Sequence, residues 1–489
     1  MKTLFKTPYA IPFLVAVFLN AFVDLGHKII IQNTLFKIHD GGELVIFTAI
    51  INALILLPFI LLFIPAGMVS DRVPKHRVMR FSAWTAVLLT GLITASYAMG
   101  WFWFAFGMTF LLAAQSAFYS PAKLAYLKGF FGKQHLAQAN GLVQAIAIIA
   151  ILSGTFVFSI LFEMWFPAML EGSPVSKGEV LQAMVPAGFL LVLNSVIELV
   201  MVYRLPNVDG VEKTDAKLAV QVAAKIDSPA NELTNTATAE ESSSLLSVLR
   251  NSSIRLSIIG LAMFWSVGQV MLAAFPAFAK DSLGELNTIV IQGILAATGV
   301  GIAIGSLIAG RCSKNYIETG IIPIGAIGLA IGLFILPQLD SALTLSLNFL
   351  WIGVMGGLFI IPLNALIQYH AKDKDLGKTL AANNLIQNIA MLSFLALTVA
   401  FSLANIASQQ LLQLIAVIVL VGGVYTIYKL PQSLIRFGLG FVMSRHYKAD
   451  VQGMQNIPQK GGVLLLGNHI SFVDWAIVQI ACPRPVHFV

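Results

Sequence analysis

Gly67-Met68-Val69-Ser70-Asp71-Arg72-Val73-Pro74-Lys75-His76-Arg77 lies between two stretches that carry almost no charge. A glycine that can turn tightly, one acid and three bases make this a polar hinge between apolar runs. Each flanking run is long enough to cross a bilayer, which takes ~20 residues as a helix. Outward from the hinge such runs recur, twelve in all, centred near residues 20, 56, 89, 111, 151, 191, 267, 299, 327, 356, 391 and 420. Hydrophobic residues make up 57% of the 489 and charged residues 11%. Soluble domains average roughly 25% charged, so this chain has too few polar side chains to cover a water-facing surface. The sequence therefore reads as an all-α membrane protein of twelve transmembrane helices.

The loops give the organisation. Residues 207–250 are rich in Ala, Thr, Ser, Glu and Lys and read as a disordered linker. It divides a six-helix half, residues 1–206, from a second six-helix half, residues 251–430. That is the layout of two parallel repeats. With both termini inside, the cytoplasmic loops hold Arg72, Lys75, Arg77, Arg80, Lys123, Lys128, Lys133, Arg311, Lys314, Lys372, Lys374 and Lys378, against Lys37, Lys177 and Lys280 opposite. Twelve against three is a positive-inside signal, and it places both ends in the cytoplasm. The first run lacks a small-residue cleavage site and is read as a retained helix. The net charge of +7 follows from the loop bias; no basic stripe interleaves with aromatics, so nucleic acid is excluded as a partner. Cys312 and Cys482 give neither a disulfide framework nor metal-ligand spacing, and no cofactor is expected.

Within the first run, Asn20, Asp24, His27 and Lys28 fall on an arc of about 100° of a helix. A charge at the bilayer centre costs at least ~2.5–3.5 kcal/mol, so a stripe of acid, base and imidazole is expected to face a cavity. The alternative is an Asp24–Lys28 pair, one turn apart, that neutralises itself. In the eighth run, Gly293, Gly299, Gly301, Gly305 and Gly310 suit close helix packing. Glu198 stands alone in the sixth run and reads as structural. Trp265 in the seventh could stack on a cation or pack in the core.

The hinge resembles the signature loop of the major facilitator superfamily, with Gly67, Asp71, Arg72 and Arg77 as a gating element. Gly310-Arg311-Cys312-Ser313-Lys314 is a weaker copy in the second half. Further stretches are similar to the bacterial lysophospholipid transporters. They are Ala117–Lys123, Ala139-Asn140-Gly141-Leu142, Phe264-Trp265, Trp351–Gln368 and Asn383–Asn388 with Ala390-Met391-Leu392. The resemblance covers about residues 8–430. It implies flipping of a lysophospholipid, typically the ethanolamine form, to the inner leaflet of the bacterial inner membrane. A phosphoethanolamine headgroup needs an anion for its ammonium and a cation for its phosphate. Asp24 can supply the first, and Lys28, Lys123 or Arg255 the second. Asn364 with Gln368, and Asn383 with Gln387, can line the wall or serve as interhelical glue. Arg255 can equally snorkel to the interface.

Residues 431–489 differ in character. Gln432–Ser444 is amphipathic, like an interfacial helix. Gly461-Gly462-Val463-Leu464-Leu465-Leu466-Gly467-Asn468-His469-Ile470-Ser471-Phe472-Val473-Asp474 reads as a short buried strand feeding Asn-His-x4-Asp. This resembles the first motif of the glycerophospholipid acyltransferases, in which His469 would be the general base and Asp474 would fix its tautomer. The chain ends at Val489, and about sixty residues are too few to fold as that α/β domain. An incomplete stub without acyl transfer of its own is expected, with an acyltransferase and an acyl carrier as partners beside the lysophospholipid substrate and membrane lipids. The competing functions are an exporter of drugs or other amphiphiles and a membrane-anchored acyltransferase.

Overall fold

The computed structural model describes residues 9–131, 136–166, 176–207, 249–313, 317–371, 376–443, 452–453, 456–457, 461–468, 470–482 and 486. They form α1 (Ala10–Ile38), α2 (Gly41–Leu61), α3 (Phe63–Arg72), α4 (Lys75–Ala98), α5 (Phe102–Phe131), α6 (Leu136–Trp165), α7 (Lys177–Ala183) and α8 (Val185–Tyr203). After the linker, which lies almost wholly outside the described residues, come α9 (Ser252–Leu283), α10 (Thr288–Cys312), α11 (Ile321–Ile335), α12 (Ala342–His370), α13 (Leu376–Leu403), α14 (Ser408–Lys429), α15 (Pro431–Met443) and α16 (Asp474–Ala481). Twelve are long and apolar enough to span a membrane; the four others are α3, α7, α15 and α16. Pro58, Pro121, Pro276 and Pro362 sit inside spanning helices. Neighbouring helices and local adjustments re-satisfy the backbone there.

The hinge is built differently from the expected glycine turn. Gly67 is inside α3, which continues α2 after a break at Leu62. The chain turns at Val73-Pro74, where Val73 is extended at φ −102° and ψ 140°. Proline disfavours the helical region for the residue before it, so Pro74 makes the corner. Arg72 and Arg77 are exposed, and the Asp71 side chain is outside the described residues.

By packing, the helices group into two compact units. The first comprises Met1–Arg250, Trp265–Ala296 and Gly377–Leu411; the second comprises Asn251–Phe264, Ala297–Leu376 and Leu412–Val489. Parts of α9, α10 and α13 thus pack with the N-terminal helices. Ala49 of α2, Ala273 of α9 and Leu395 of α13 are fully buried against one another. In the first unit α1 packs on α2, α5, α6 and α8. Gly26 permits the close approach to α6, because a Cβ there would overlap the Phe158 ring. Toward the start of α1, Phe13 stacks on Tyr126 of α5 at 5.4 Å.

In the second unit, α10 and α12 meet backbone to backbone. A Cβ on Gly301 or Gly305 would collide with the carbonyl oxygens of Leu350 and Val354. The glycines of the eighth run are packing residues at these two positions. α15 docks on the loop before α11: Arg436 meets Glu318 at 3.2 Å and Thr319 donates to Ser433 at 2.9 Å.

The strand expected before Asn468 is not formed. Residues 462–468 have no regular structure, with Leu464 81% and Leu466 88% exposed. A strand needs a neighbour to pair with, and the described residues include none. His469 lies outside the described residues. Asp474 begins α16, and its Oδ2 accepts the backbone N–H groups of Ile470 at 2.6 Å and Ser471 at 2.8 Å.

Candidate functional site

α1, α2, α5 and α6 line a half-open cavity of about 210 Å³. It is smaller than the ~300–1,000 Å³ of sites that engulf a drug-sized ligand, and its size suits a headgroup. Asn20 and Asp24 of α1, with Thr109, Ser116, Tyr119, Ser120 and Lys123 of α5, form its polar side. Ile55 and Phe59 of α2 and Ile151 of α6 form an apolar side. Ser116, Tyr119 and Lys123 follow at i, i+3 and i+7, so α5 presents them on one face. Lys123 stands inside α5, not at its end, because the helix runs through Pro121.

The polar wall is incompletely satisfied. Ser116 donates to Asp24 Oδ2, while Asp24 Oδ1 has no hydrogen-bond partner. The Tyr119 hydroxyl has none either, and its ring lies 5.7 Å below Lys123 Nζ. Lys123 interacts electrostatically with Asp24 and with Glu198, yet forms no direct ion pair among the described residues. Glu198 comes from α8 and is fully buried. Asn20 of α1 is its neighbour, and neither carboxylate oxygen forms a hydrogen bond of normal geometry. Glu198 is therefore not the isolated residue that the sequence suggests: α8 packs on α1, and Glu198 interacts electrostatically with Asp24 and Lys123.

The rest of the α1 stripe separates from the cavity. His27 is fully buried: its Nε2 donates to the Ala105 carbonyl at 3.0 Å, and its Nδ1 accepts from the Tyr97 hydroxyl at 2.8 Å. A carbonyl partner requires the proton on Nε2, and with the Tyr97 hydroxyl on the other nitrogen the ring ties α1 to α4 and α5. The expectation that His27 contacts substrate is corrected on that ground, since both ring nitrogens are occupied. Lys28 is half-buried and, among the described residues, makes no ion pair with Asp24. The self-neutralising pair is absent there.

The remaining candidates stand elsewhere. On α13, Gln387 donates to Asn383 at 2.8 Å, so this pair satisfies itself. Arg255, Asn364 and Gln368 belong to the second unit. Arg255 is exposed in the first turn of α9 and Gln368 is exposed on α12. Asn364 donates to the Ile360 carbonyl of its own helix at 3.0 Å. Thr109, Ser116, Tyr119 and Ser120 line the cavity without having been selected from the sequence, and Glu198 reads there only as structural. The α5 spacing, and an acid in the middle of an apolar run, were the signals available.

A second polar cluster lies at the C-terminal end of α1. Lys37 meets Glu163 of α6 at 3.0 Å and donates to the Leu286 carbonyl at 2.8 Å. The other Glu163 oxygen accepts from Thr288 N, at the start of α10, at 2.7 Å. Lys280 of α9 pairs with Asp40 at 2.6 Å and donates to the carbonyls of Phe36 and His39.

The comparisons agree with this architecture. The family model described as Major Facilitator Superfamily matches residues 13–395. Lysophospholipid transporter LplT of Serratia proteamaculans is 30% identical over 348 residues, covering 70% of this chain and 75% of that one. The transporter of the same name from Photorhabdus laumondii is 30% identical, with 71% and 78% covered. Among solved structures, a D-xylose-proton symporter aligns with a TM-score of 0.61 at 14% identity, covering 86% of this chain and 97% of its own. A bacterial homologue of the human lysosomal transporter Spinster gives 0.55 at 14% identity, with 87% and 98% covered. The chain belongs to the Major Facilitator Superfamily, with lysophospholipid transporters among its relatives.

Proposed function

We propose that this protein moves a lysophospholipid across the bacterial inner membrane toward the cytoplasmic leaflet. The observation that carries the reading is an acid and a base held apart across one small cavity. Asp24 keeps one oxygen without a partner, and Lys123 has no direct ion pair among the described residues. A zwitterionic headgroup supplies the missing partners, ammonium to Asp24 and phosphate to Lys123, as charge-assisted hydrogen bonds. Ile55, Phe59 and Ile151 give the glycerol and the first acyl carbons an apolar wall. The relatives named lysophospholipid transporter support the same substrate class.

In this reading both termini are cytoplasmic, as the loop charges favour, and the loop with Arg72 and Arg77 gates from that side. Lys28, Arg255, Asn364, Gln368, Asn383 and Gln387 serve the headgroup in other steps of the cycle. The segment with His469 and Asp474 is carried only by its resemblance to an acyltransferase motif. It would hand the lysolipid to an acyltransferase and its acyl carrier.

The test is flipping of labelled lysophosphatidylethanolamine by purified protein in liposomes, against a panel of unlabelled competitors. Competition by lysophospholipids alone supports the proposal. Competition by cationic drugs at equal potency, without lysolipid flipping, would replace it with the exporter reading.

A further inference from the structure

Lys37, Lys177 and Lys280 belong to the end of the helices opposite the Val73-Pro74 corner, and two of them are neutralised. Lys37 pairs with Glu163 and Lys280 with Asp40. Lys177, at the start of α7, makes no ion pair among the described residues. The acids near it are engaged: Glu179 accepts from the Ser176 backbone N–H at 2.9 Å, and Glu43 of α2 meets His39 at 2.7 Å.

Three rings hold Lys177 instead. Its Nζ stands 4.6 Å from the ring centre of Trp103, 5.3 Å from that of Phe47 and 5.7 Å from that of Phe102. Phe47 is on α2, and Phe102 with Trp103 begins α5. The rings brace one another, with Trp103 at 5.5 Å from Phe47 and 5.3 Å from Phe102. A close backbone approach sets α7 beside them: a Cβ on Gly178 would stand 2.9 Å from the Gly100 carbonyl oxygen. Phe102 is buried, whereas Trp103 is 56% exposed and Lys177 half-buried, so the box is open on one side.

Aromatic faces attract an ammonium but carry no net charge. The box therefore keeps a full positive charge, and the ammonium keeps N–H donors to give. Trp101 and Phe104, beside Trp103, are exposed as well. Exposed tryptophan at the end of a spanning helix marks the level where it leaves the hydrocarbon. At that level the abundant anion is the phosphate of the bilayer's own lipids.

We propose that Lys177 and the Phe47, Phe102 and Trp103 box bind the phosphate of a resident anionic phospholipid, in the leaflet opposite the hinge and apart from the transport cavity. Lys177 takes the phosphate by a charge-assisted hydrogen bond, and the rings hold its ammonium in place. Net charge selects the lipid: a headgroup with its own ammonium would bring a second cation to a site that already holds one. The site stands independently of the lysolipid reading.

The test uses the full chain, delipidated in detergent and titrated with phosphatidylglycerol, phosphatidylethanolamine and diacylglycerol of the same acyl chains. Native mass spectrometry counts the bound lipid, and thermal unfolding reads the stabilisation it brings. Wild type should hold one phosphatidylglycerol about five- to tenfold more tightly than Lys177→Gln does. The other two lipids should show no such difference. Lys177→Arg should keep the preference, because a guanidinium carries the charge and stacks on rings. Trp103→Leu keeps the cation, loosens its box and should fall between. Equal phosphatidylglycerol binding by wild type and folded Lys177→Gln overturns the proposal, as does an equal loss for diacylglycerol. Lys177→Gln that melts lower by the same amount with and without phosphatidylglycerol makes the box a helix clamp alone and also overturns it. Should Lys177→Gln fail to fold, wild-type affinity in Trp103→Leu has the same consequence. Displacement of the bound lipid by equimolar lysophosphatidylethanolamine would assign the box to the transported lipid and overturn the resident one.

Discussion

The first unit holds two sets of charged groups along α1, and they differ in how completely they are paired. At the C-terminal end, Lys37, Glu163, Lys280 and Asp40 bind one another at 2.6–3.0 Å and take up backbone groups as well. At the cavity, Asp24, Lys123 and Glu198 influence each other through space while several of their oxygens stay without partners. Unpaired buried polar atoms are costly, so structures keep them where a ligand will complete them. The paired cluster is fitted to hold helices together; the unpaired one is fitted to bind something that arrives.

The strongest way to break this contrast is at the cavity. Lys123→Gln and Asp24→Asn should each weaken lysophosphatidylethanolamine binding by roughly 30–100-fold, the equivalent of ~2–3 kcal/mol for a charge-assisted hydrogen bond. Equilibrium binding in nanodiscs measures it, and an unchanged Kd would dissolve the distinction. His27 offers the converse. His27→Phe leaves the Tyr97 hydroxyl and Ala105 carbonyl without their side-chain partner, which should lower stability by ~1–3 kcal/mol with little change in the Kd of the folded fraction. Thermal unfolding alongside binding separates the two.

The paired cluster should respond more mildly. A double-mutant cycle on Lys37→Met and Glu163→Gln should give a coupling of ~1 kcal/mol, read as a severalfold change in transport rate with Kd unaltered. A coupling of zero would mean that the contact holds nothing. The smallest effect belongs to α7, far from either cluster. Ser176 and Glu179 form a capping box there, and the hydrogen bonds from Ser176 hold the exposed Glu179 carboxyl below its ordinary value. A lowered folded value means the contribution is fully present above the ordinary carboxylate value and is lost as pH falls from there through the lowered one. The protection of amides at the start of α7, taken relative to the intrinsic exchange rate at each pH, should fall on acidification, and Glu179→Gln should flatten that fall.

Much of this is legible in the sequence. The twelve helices follow from apolar runs, because length and the absence of charge suffice to define a span. Asn20 and Asp24 reached the cavity as their spacing on α1 implied. The same arc also contained His27 and Lys28, and periodicity cannot say which neighbour each turn of a helix will meet. For His27 that neighbour was Tyr97 of α4. Lys123 counts among the loop charges in sequence, yet α5 runs through Pro121 and carries it inside the helix, because membrane helices tolerate an internal proline. Gly67 suggests the turn in sequence, and Pro74 makes it in the structure. The 463–466 run had the pattern of a strand, but pairing is a property of neighbours and not of the segment itself.

The central claim is that Asp24 and Lys123 together hold a zwitterionic headgroup. Its most direct measurement is the rate at which purified protein in liposomes flips fluorescent lysophosphatidylethanolamine, compared among wild type, Asp24→Asn and Lys123→Gln. Wild type should flip well above empty vesicles, and both variants should fall close to the vesicle background. Flipping at the wild-type rate by either variant would contradict the account.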